Sequence, residues 1–219
     1  GNHSSFQVIK GSAVNEDRFN TTIQSSIKLL EQLKKEYYLT EGKTLIFVSR
    51  LLKQKGLSYL IEAINQINQS ESQKINLLIA GWIDPNNPDS FTEEEIKHYG
   101  AQEGVVFLGK RSDINDIIAL ADIAVLPTYY REGTPRFLLE AMAMGKPILT
   151  TDMPGCNHLV KGNKNGILVK PQSTEEIVKG LEYLLHSDLE KMGIESNKLY
   201  RQEFSEDVVY NQILKLYKK

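Results

Sequence analysis

The residue types best suited to chemistry lie in one stretch, Tyr129-Tyr130-Arg131-Glu132-Gly133-Thr134-Pro135-Arg136-Phe137-Leu138-Leu139-Glu140, which runs on to Gly145. Thr134 stands where a helix N-cap belongs and Pro135 where a first helical residue belongs. A helix is therefore expected from Pro135 to Met144, built of good helix formers and stopped by Gly145. Its first N–H groups, at Arg136, Phe137 and Leu138, favour an anion. Two carboxylates flank that opening, Glu132 in the loop before it and Glu140 inside the helix. A carboxylate beside an anion site does not bind the anion. It can accept hydrogen bonds from sugar hydroxyls, or stabilise positive charge that develops at a reacting carbon. The plainer alternative for Glu140 is an exposed i, i+4 pair with Arg136, worth only ~0.3–0.5 kcal/mol.

A second group of charges precedes the first in the chain, in Ser49-Arg50-Leu51-Leu52-Lys53-Gln54-Lys55-Gly56. Arg50 and Lys55 bracket a turn that opens a helix, so both cations are expected to converge on one phosphate group. Arginine supplies a planar fork and lysine a point charge. The alternative is a solvated basic turn, since Lys53 lies between them. A charge-assisted hydrogen bond is worth roughly 1.5–3 kcal/mol. Two of them with a helix N-terminus would make a micromolar diphosphate site. No Gly-x-Gly-x-x-Gly follows the first strand and no Gly-Lys-Ser/Thr loop exists, which weakens dinucleotide and P-loop readings. His3, His98, His158 and His186 lack ligand spacing and no Asp-x-Asp pair is present, so no metal is expected on the phosphates. Cys156 reads as a packed small residue rather than a nucleophile.

These groups must be held by a regular frame. Thr44 to Val48, Ile75 to Ala80, Val105 to Leu108, Ile123 to Leu126, Pro147 to Thr150 and Ile167 to Val169 are short β-prone runs. Between them, apolar residues recur at helical spacing: Leu57, Leu60, Ile61, Ile64 and Ile67, then Ile114, Ile117, Ile118 and Ala121. Glu93-Glu94-Glu95 starts an acidic helix, and Ile177 to Leu185 continues the pattern with Ser173 or Thr174 near its cap. Helices over about 188–204 and 206–217 follow. Earlier, Phe6 to Val14 looks like a strand entering a glycine turn, and a polar helix-prone stretch reaches Tyr38. Alternation at this rhythm predicts an α/β fold, a doubly wound parallel sheet of Rossmann-like type. In such a sheet ligands lie beyond the carboxyl ends of the strands.

The totals bound the function. With 26 Lys and Arg against 28 Asp and Glu, the net charge of −2 gives no reason for a nucleic-acid partner or a polybasic membrane patch. One cysteine leaves no internal disulfide and suits a reducing cytoplasm. No apolar run approaches the ~18 residues of a membrane span. The polar start at Gly1, without Met, is expected to be the start of a piece of a longer chain.

Taken together, Ser49-Arg50-Leu51 with Lys55-Gly56, Val106 to Gly109, Ala121-Asp122-Ile123, Pro127 to Gly145, Pro147 to Gly155 and Asn165 to Val169 resemble the retaining GT-B glycosyltransferases of group 1, or family 4. The similarity is to their C-terminal, nucleotide-sugar-binding domain, and it runs over nearly the whole chain. The wording of Glu132 to Cys156 is similar to enzymes that extend capsule or lipid-linked glycans. The resemblance implies one domain over 1–219, with a lead-in at 1–40, a core at 41–204 and a C-terminal helix at 205–219. The N-terminal acceptor domain would be absent. Arg50, Lys55, Gly133, Thr134, Pro135 and Arg136 would bind the donor diphosphate and its sugar. Glu140 would take the ribose hydroxyls, Glu132 would lie at the donor sugar as the catalytic carboxylate, and the backbone at Arg111 would face the base, most often uracil. Gly11-Ser12 would correspond to the lead-in, although Ala13 stands where many relatives have a second glycine.

The implied activity is that of a retaining, metal-independent hexosyltransferase. It would pass a sugar from a UDP-sugar to an acceptor hydroxyl on a lipid-linked or growing glycan. The leaving diphosphate would help deprotonate the acceptor on the same face. The enzyme would be cytoplasmic, or peripheral at the inner face of the membrane through the missing domain, and the lone fragment would bind nucleotide weakly without turnover. The alternatives are a GT-B sugar-nucleotide 2-epimerase and a non-catalytic nucleotide-binding domain.

Overall fold

Six β-prone runs, each ending at glycine, proline or a polar residue, pair into one parallel sheet in the computed structural model of the chain. The structure describes residues 28, 31–33, 35, 36, 39, 41–70 and 74–217. The strand expected over Phe6 to Val14 lies outside them, as does most of the stretch leading to Tyr38. The strands are β1 (Gly42–Val48), β2 (Lys74–Ala80), β3 (Val105–Gly109), β4 (Ile123–Leu126), β5 (Ile148–Thr151) and β6 (Gly166–Val169). Their order across the sheet is β3-β2-β1-β4-β5-β6, all neighbours parallel. This is the doubly wound Rossmann-like order, in which the chain turns back at the boundary between β1 and β4. The fold class expected from the alternation is the one observed.

The continuous apolar strands are explained by cover on both faces. Leu45, Ile46, Phe47, Leu77, Leu78, Ile79, Ala124 and Val125 are all buried. Helix α1 (Leu57–Ser70) packs on β2, and α2 (Glu93–Gly100) packs on β3. The short α3 (Ile114–Leu120) packs on β1, and α4 (Arg136–Ala143) lies on β4 and β5. The chain ends in α5 (Thr174–Leu185), α6 (Leu189–Glu203) and α7 (Glu206–Tyr217). α5 leans on α1 and α6 on α4, which extends the core beyond the sheet.

Local chemistry sets the helix limits. At α2 the Thr92 hydroxyl accepts from the Glu95 N–H at 3.1 Å while the Glu95 carboxylate accepts from the Thr92 N–H at 2.8 Å, a complete capping box. Ser173, not Thr174, caps α5 by accepting from the Glu176 N–H. α4 ends as its glycine requires. Gly145 adopts φ +68°, and the Gly145 and Lys146 N–H groups close back onto the Met142 and Ala141 carbonyls at 3.0 and 2.9 Å.

The start of α4 needs a correction. Pro135, not Thr134, occupies the N-cap, with ψ 116°, and the helix begins at Arg136. Pro135 keeps extended backbone, and its carbonyl accepts from the Leu138 and Leu139 N–H groups at 3.1 and 3.3 Å. The Leu138 N–H is therefore turned into the helix, and Arg136 and Phe137 are left to supply the N–H groups at the opening.

Candidate functional site

Because β1 and β4 are neighbours while their onward connections diverge, a crevice opens above their carboxyl ends. The loops that follow these two strands meet there. Gly56, at φ +79°, closes the turn after β1 so tightly that a Cβ on it would lie 2.0 Å from the Pro127 carbonyl oxygen. The Tyr129 N–H donates to the Gln54 carbonyl at 3.0 Å. The Thr128 hydroxyl lies 3.1 Å from the same carbonyl and 3.2 Å from Glu132 Oε1, and accepts from the Tyr130 N–H. The first loop is thus fastened to the second residue by residue.

That fastening brings Lys55 and Glu132 together across the switch point. The Lys55 ammonium donates to Glu132 Oε1, and each side chain is only 14% exposed. The same ammonium lies 5.4 Å from the centre of the Tyr130 ring, itself half exposed. A third loop, after β5, completes the arrangement. Gly155, at φ +93°, presses its backbone against Glu132 and Gly133. The Thr151 hydroxyl donates to the Thr128 carbonyl.

The other candidate residues are arranged differently from a single convergent cluster. The Arg50 guanidinium pairs with Asp84 at 2.9 Å, in the loop after β2, while Lys55 pairs with Glu132. The two cations therefore each hold a carboxylate and do not share one point. Arg136 Nε donates to Glu140 Oε1 at 3.0 Å, so the i, i+4 pair is formed, with Arg136 largely exposed and Glu140 mostly covered. Thr134 Oγ1 lies 3.4 Å from His158 Nε2. After Gly109, at φ +67°, Arg111 forks onto Asp113, its Nε and Nη2 donating to the two carboxylate oxygens at 2.8 and 2.5 Å. That fork holds the Asp113 carboxyl below the usual aspartate range.

Thr128 and Asp84 were not singled out by sequence reasoning. Asp84 had a visible signal, since it opens the Pro/Asn/Asp loop directly after the second strand, where ligand-side residues belong. Cys156 is fully buried, and burial pushes its thiol up to about 11. It is expected to resist iodoacetamide at mildly alkaline pH in the native protein and to react once the chain is unfolded in guanidinium. Mass spectrometry of the two samples checks this, and rapid native labelling would mean that the loop after β5 opens.

An open parallel sheet with its switch point between β1 and β4 defines a Rossmann-like domain, and solved structures that share this fold include proteins described as glycosyltransferases. The Anabaena protein HepE, solved in complex with UDP and glucose, superposes with a TM-score of 0.81 at 23% identity, over 94% of this chain and 55% of that one. The C-terminal domain of a glycosyl transferase group 1 family protein from Francisella tularensis gives 0.71 at 22% identity, over 89% of this chain and 100% of that one. The chain belongs to the glycosyl transferases group 1 family, whose model matches residues 30–201. Among its relatives is the N,N'-diacetylbacillosaminyl-diphospho-undecaprenol alpha-1,3-N-acetylgalactosaminyltransferase of Campylobacter jejuni. The two are 28% identical over 211 residues, which is 96% of this chain and 53% of the relative. The chain spans about half the length of the curated relatives it matches. Among the described residues, no helix is long and apolar enough to cross a membrane.

Proposed function

We propose that this domain binds the donor of a retaining glycosyltransferase, a UDP-sugar, for transfer to an acceptor hydroxyl on a lipid-linked or growing glycan in the cytoplasm. The observation that carries this reading is the joining of Lys55 and Glu132 at the switch point, beside the opening of α4, in a chain of the group 1 family. The diphosphate lies across that opening. The Lys55 ammonium and the Arg136 and Phe137 N–H groups meet its charge, with Gly133, Thr134 and Pro135 forming the loop around it. Arg50 joins by exchanging Asp84 for phosphate. Glu140 accepts from the ribose hydroxyls and Glu132 from the hydroxyls of the transferred sugar, near the anomeric carbon. The backbone at Arg111 faces the base.

With cations and helix dipole in these positions, no metal is required on the phosphates. The acceptor oxygen attacks the anomeric carbon on the face from which the diphosphate departs; the bond from that carbon to the diphosphate breaks as the new glycosidic bond forms, and the leaving phosphate oxygen takes the acceptor proton, so configuration is kept. The acceptor surface comes from a second domain of the full-length enzyme. The relative from Campylobacter, whose name specifies transfer to a diphospho-undecaprenol glycan, and the UDP-bound Anabaena fold both support this assignment.

Calorimetric titration of UDP into the chain, in EDTA, tests the site. Lys55→Ala is expected to weaken binding by about tenfold to a hundredfold, and Arg50→Ala by less because the Arg50 side chain is 48% exposed, where water screens its charge, against 14% for Lys55. Equal affinity in wild type and both variants would remove the diphosphate site.

A further inference from the structure

Outside the donor crevice, a polar groove runs between α1 and the turn that joins α2 to β3. It consists of two cavities, of about 440 and 550 Å³, which share Asn65 and Gln102. Each is of the size that small-molecule sites take, ~300–1,000 Å³. The first is lined by Ser58, Tyr59, Glu62, Asn65, Tyr99 and Gln102, over the buried Ile61. Ser58, Glu62 and Asn65 recur at helical spacing, so α1 presents them as one polar stripe. Across the groove, the Asn65 side-chain amide donates to the Gln102 side-chain carbonyl. The turn that carries Gln102 is fixed, since its N–H donates to the Tyr99 carbonyl at 3.1 Å and its own carbonyl accepts from the Val105 N–H at 3.2 Å. Glu62 accepts from the Thr174 hydroxyl of α5 at 2.8 Å, which sets its position as well. At one end the Tyr59 ring packs edge-on against Tyr129, with centres 6.2 Å apart, three residues before Glu132. The groove therefore opens beside the loop that carries the candidate catalytic carboxylate.

The lining selects the ligand. The first cavity holds no lysine or arginine, so it offers nothing to a phosphate or an acidic chain, and the Glu62 carboxylate repels both. Its one aliphatic residue is covered, which leaves no surface for a lipid tail. In the second cavity the Lys74 ammonium and the Glu103 carboxylate lie 3.9 Å apart, so their charges offset one another. The paired amides keep spare capacity, because Asn65 Oδ1 can still accept and Gln102 Nε2 can still donate. Amides, a carboxylate and tyrosine rings with hydroxyl tips suit a ligand with many hydroxyls and apolar C–H faces. Building on the transferase reading above, we infer that this groove binds a neutral oligosaccharide. Asn65, Gln102 and Glu62 bond to sugar hydroxyls, and Tyr59 and Tyr99 supply the apolar surface. An enzyme that extends a glycan gains from such a second grip, which raises the effective concentration of the chain beside the loop where it reacts.

Maltohexaose, cellohexaose and N-acetylchitohexaose, titrated in turn into the isotope-labelled chain and followed by NMR, test the groove. At least one of them is expected to shift the side-chain amide signals of Asn65 and Gln102, and oligogalacturonic acid, a charged chain of similar length, is not. Gln102→Ala should weaken the binding by about tenfold, through the loss of its amide and of the pairing that orients Asn65. Asn65→Trp fills the groove and should abolish binding. Both variants should keep the wild-type affinity for UDP, and thermal melts close to wild type would exclude a folding defect. The inference is overturned if none of the three neutral chains moves these signals, whether or not UDP binds, or if Asn65→Trp takes up the glycan as wild type does. Movement of the same signals on raising the protein concentration alone would make the groove a contact between copies and overturn it too. Glycan binding by a chain that does not bind UDP would remove the donor site and leave the groove in place.

Discussion

Gly155→Ala is expected to destabilise the domain more than any other single methyl group added at the site. At φ +93° an alanine is strained whatever the surroundings, and here its Cβ would lie 2.0 Å from the Gly133 carbonyl oxygen and 2.3 Å from that of Glu132. Both obstacles are backbone, so neither can rotate away. Left-handed backbone costs an L-residue roughly 1–2 kcal/mol and overpacking a further ~1–3 kcal/mol. At about 2–4 °C per kcal/mol for a domain of this size, the melting temperature should fall by ~5–15 °C. Gly109→Ala is the control, because that glycine also has positive φ, +67°, but nothing lies within 4 Å of its Cβ position. It should show only the backbone cost, ~2–8 °C. Differential scanning calorimetry of both variants decides the matter. A Gly155→Ala melt no lower than that of Gly109→Ala would mean that the loop after β5 does not clamp Glu132. If the clamp is real, the surviving folded Gly155→Ala protein should also bind UDP more weakly, because the displaced carbonyls carry the Glu132 side chain with them.

The alternation of strands and helices was legible because each element carries its own signal within a few residues: β-prone runs, apolar spacing, an acidic helix start. The strand order was not, since pairing β1 with both β2 and β4 depends on contacts between distant segments. The same divide runs through the site. The positions of Glu132 and Lys55 on ligand-side loops could be read from where their strands end. Their direct pairing joins residues 77 apart, and nothing local to either announces it. Arg50 shows the opposite failure. Its position was read correctly, but the expectation that it would aim at the same point as Lys55 left out Asp84, an anionic partner supplied by another loop. The shift of the N-cap from Thr134 to Pro135 has a local cause: threonine and proline suit adjacent positions at a helix start, and the backbone at Pro135 chooses between the two registers.

The Lys55–Glu132 pair yields the second large effect, with opposite signs for its two members. Lys55→Met keeps the aliphatic stem but leaves the Glu132 carboxylate in a site where it is only 14% exposed, with the Thr128 hydroxyl as its remaining neighbour. Removing one member of a covered pair strands the other charge, and a loss of about 2–4 kcal/mol is expected here. Glu132→Gln retains shape and hydrogen-bonding capacity while releasing the ammonium from its carboxylate, so its stability cost should be smaller, about 1–2 kcal/mol. The double variant Lys55→Met/Glu132→Gln should recover part of the Lys55→Met loss, and that recovery measures the coupling. Binding separates the two further. On the proposed donor site, Lys55→Met removes a cation from the diphosphate and should lower UDP affinity. Glu132→Gln removes the anion that competes with the diphosphate for the same ammonium, and should raise UDP affinity about threefold to tenfold, roughly 1 kcal/mol. In the full-length enzyme the same Glu132→Gln change should depress sugar transfer, because the group that we propose lies beside the anomeric carbon is then neutral. Tighter UDP with slower transfer is the combination expected of a carboxylate that serves the sugar rather than the phosphates. Urea melts and UDP titrations of the four proteins check the scheme. If Glu132→Gln weakens UDP as much as Lys55→Met does, Glu132 is merely holding the lysine in position.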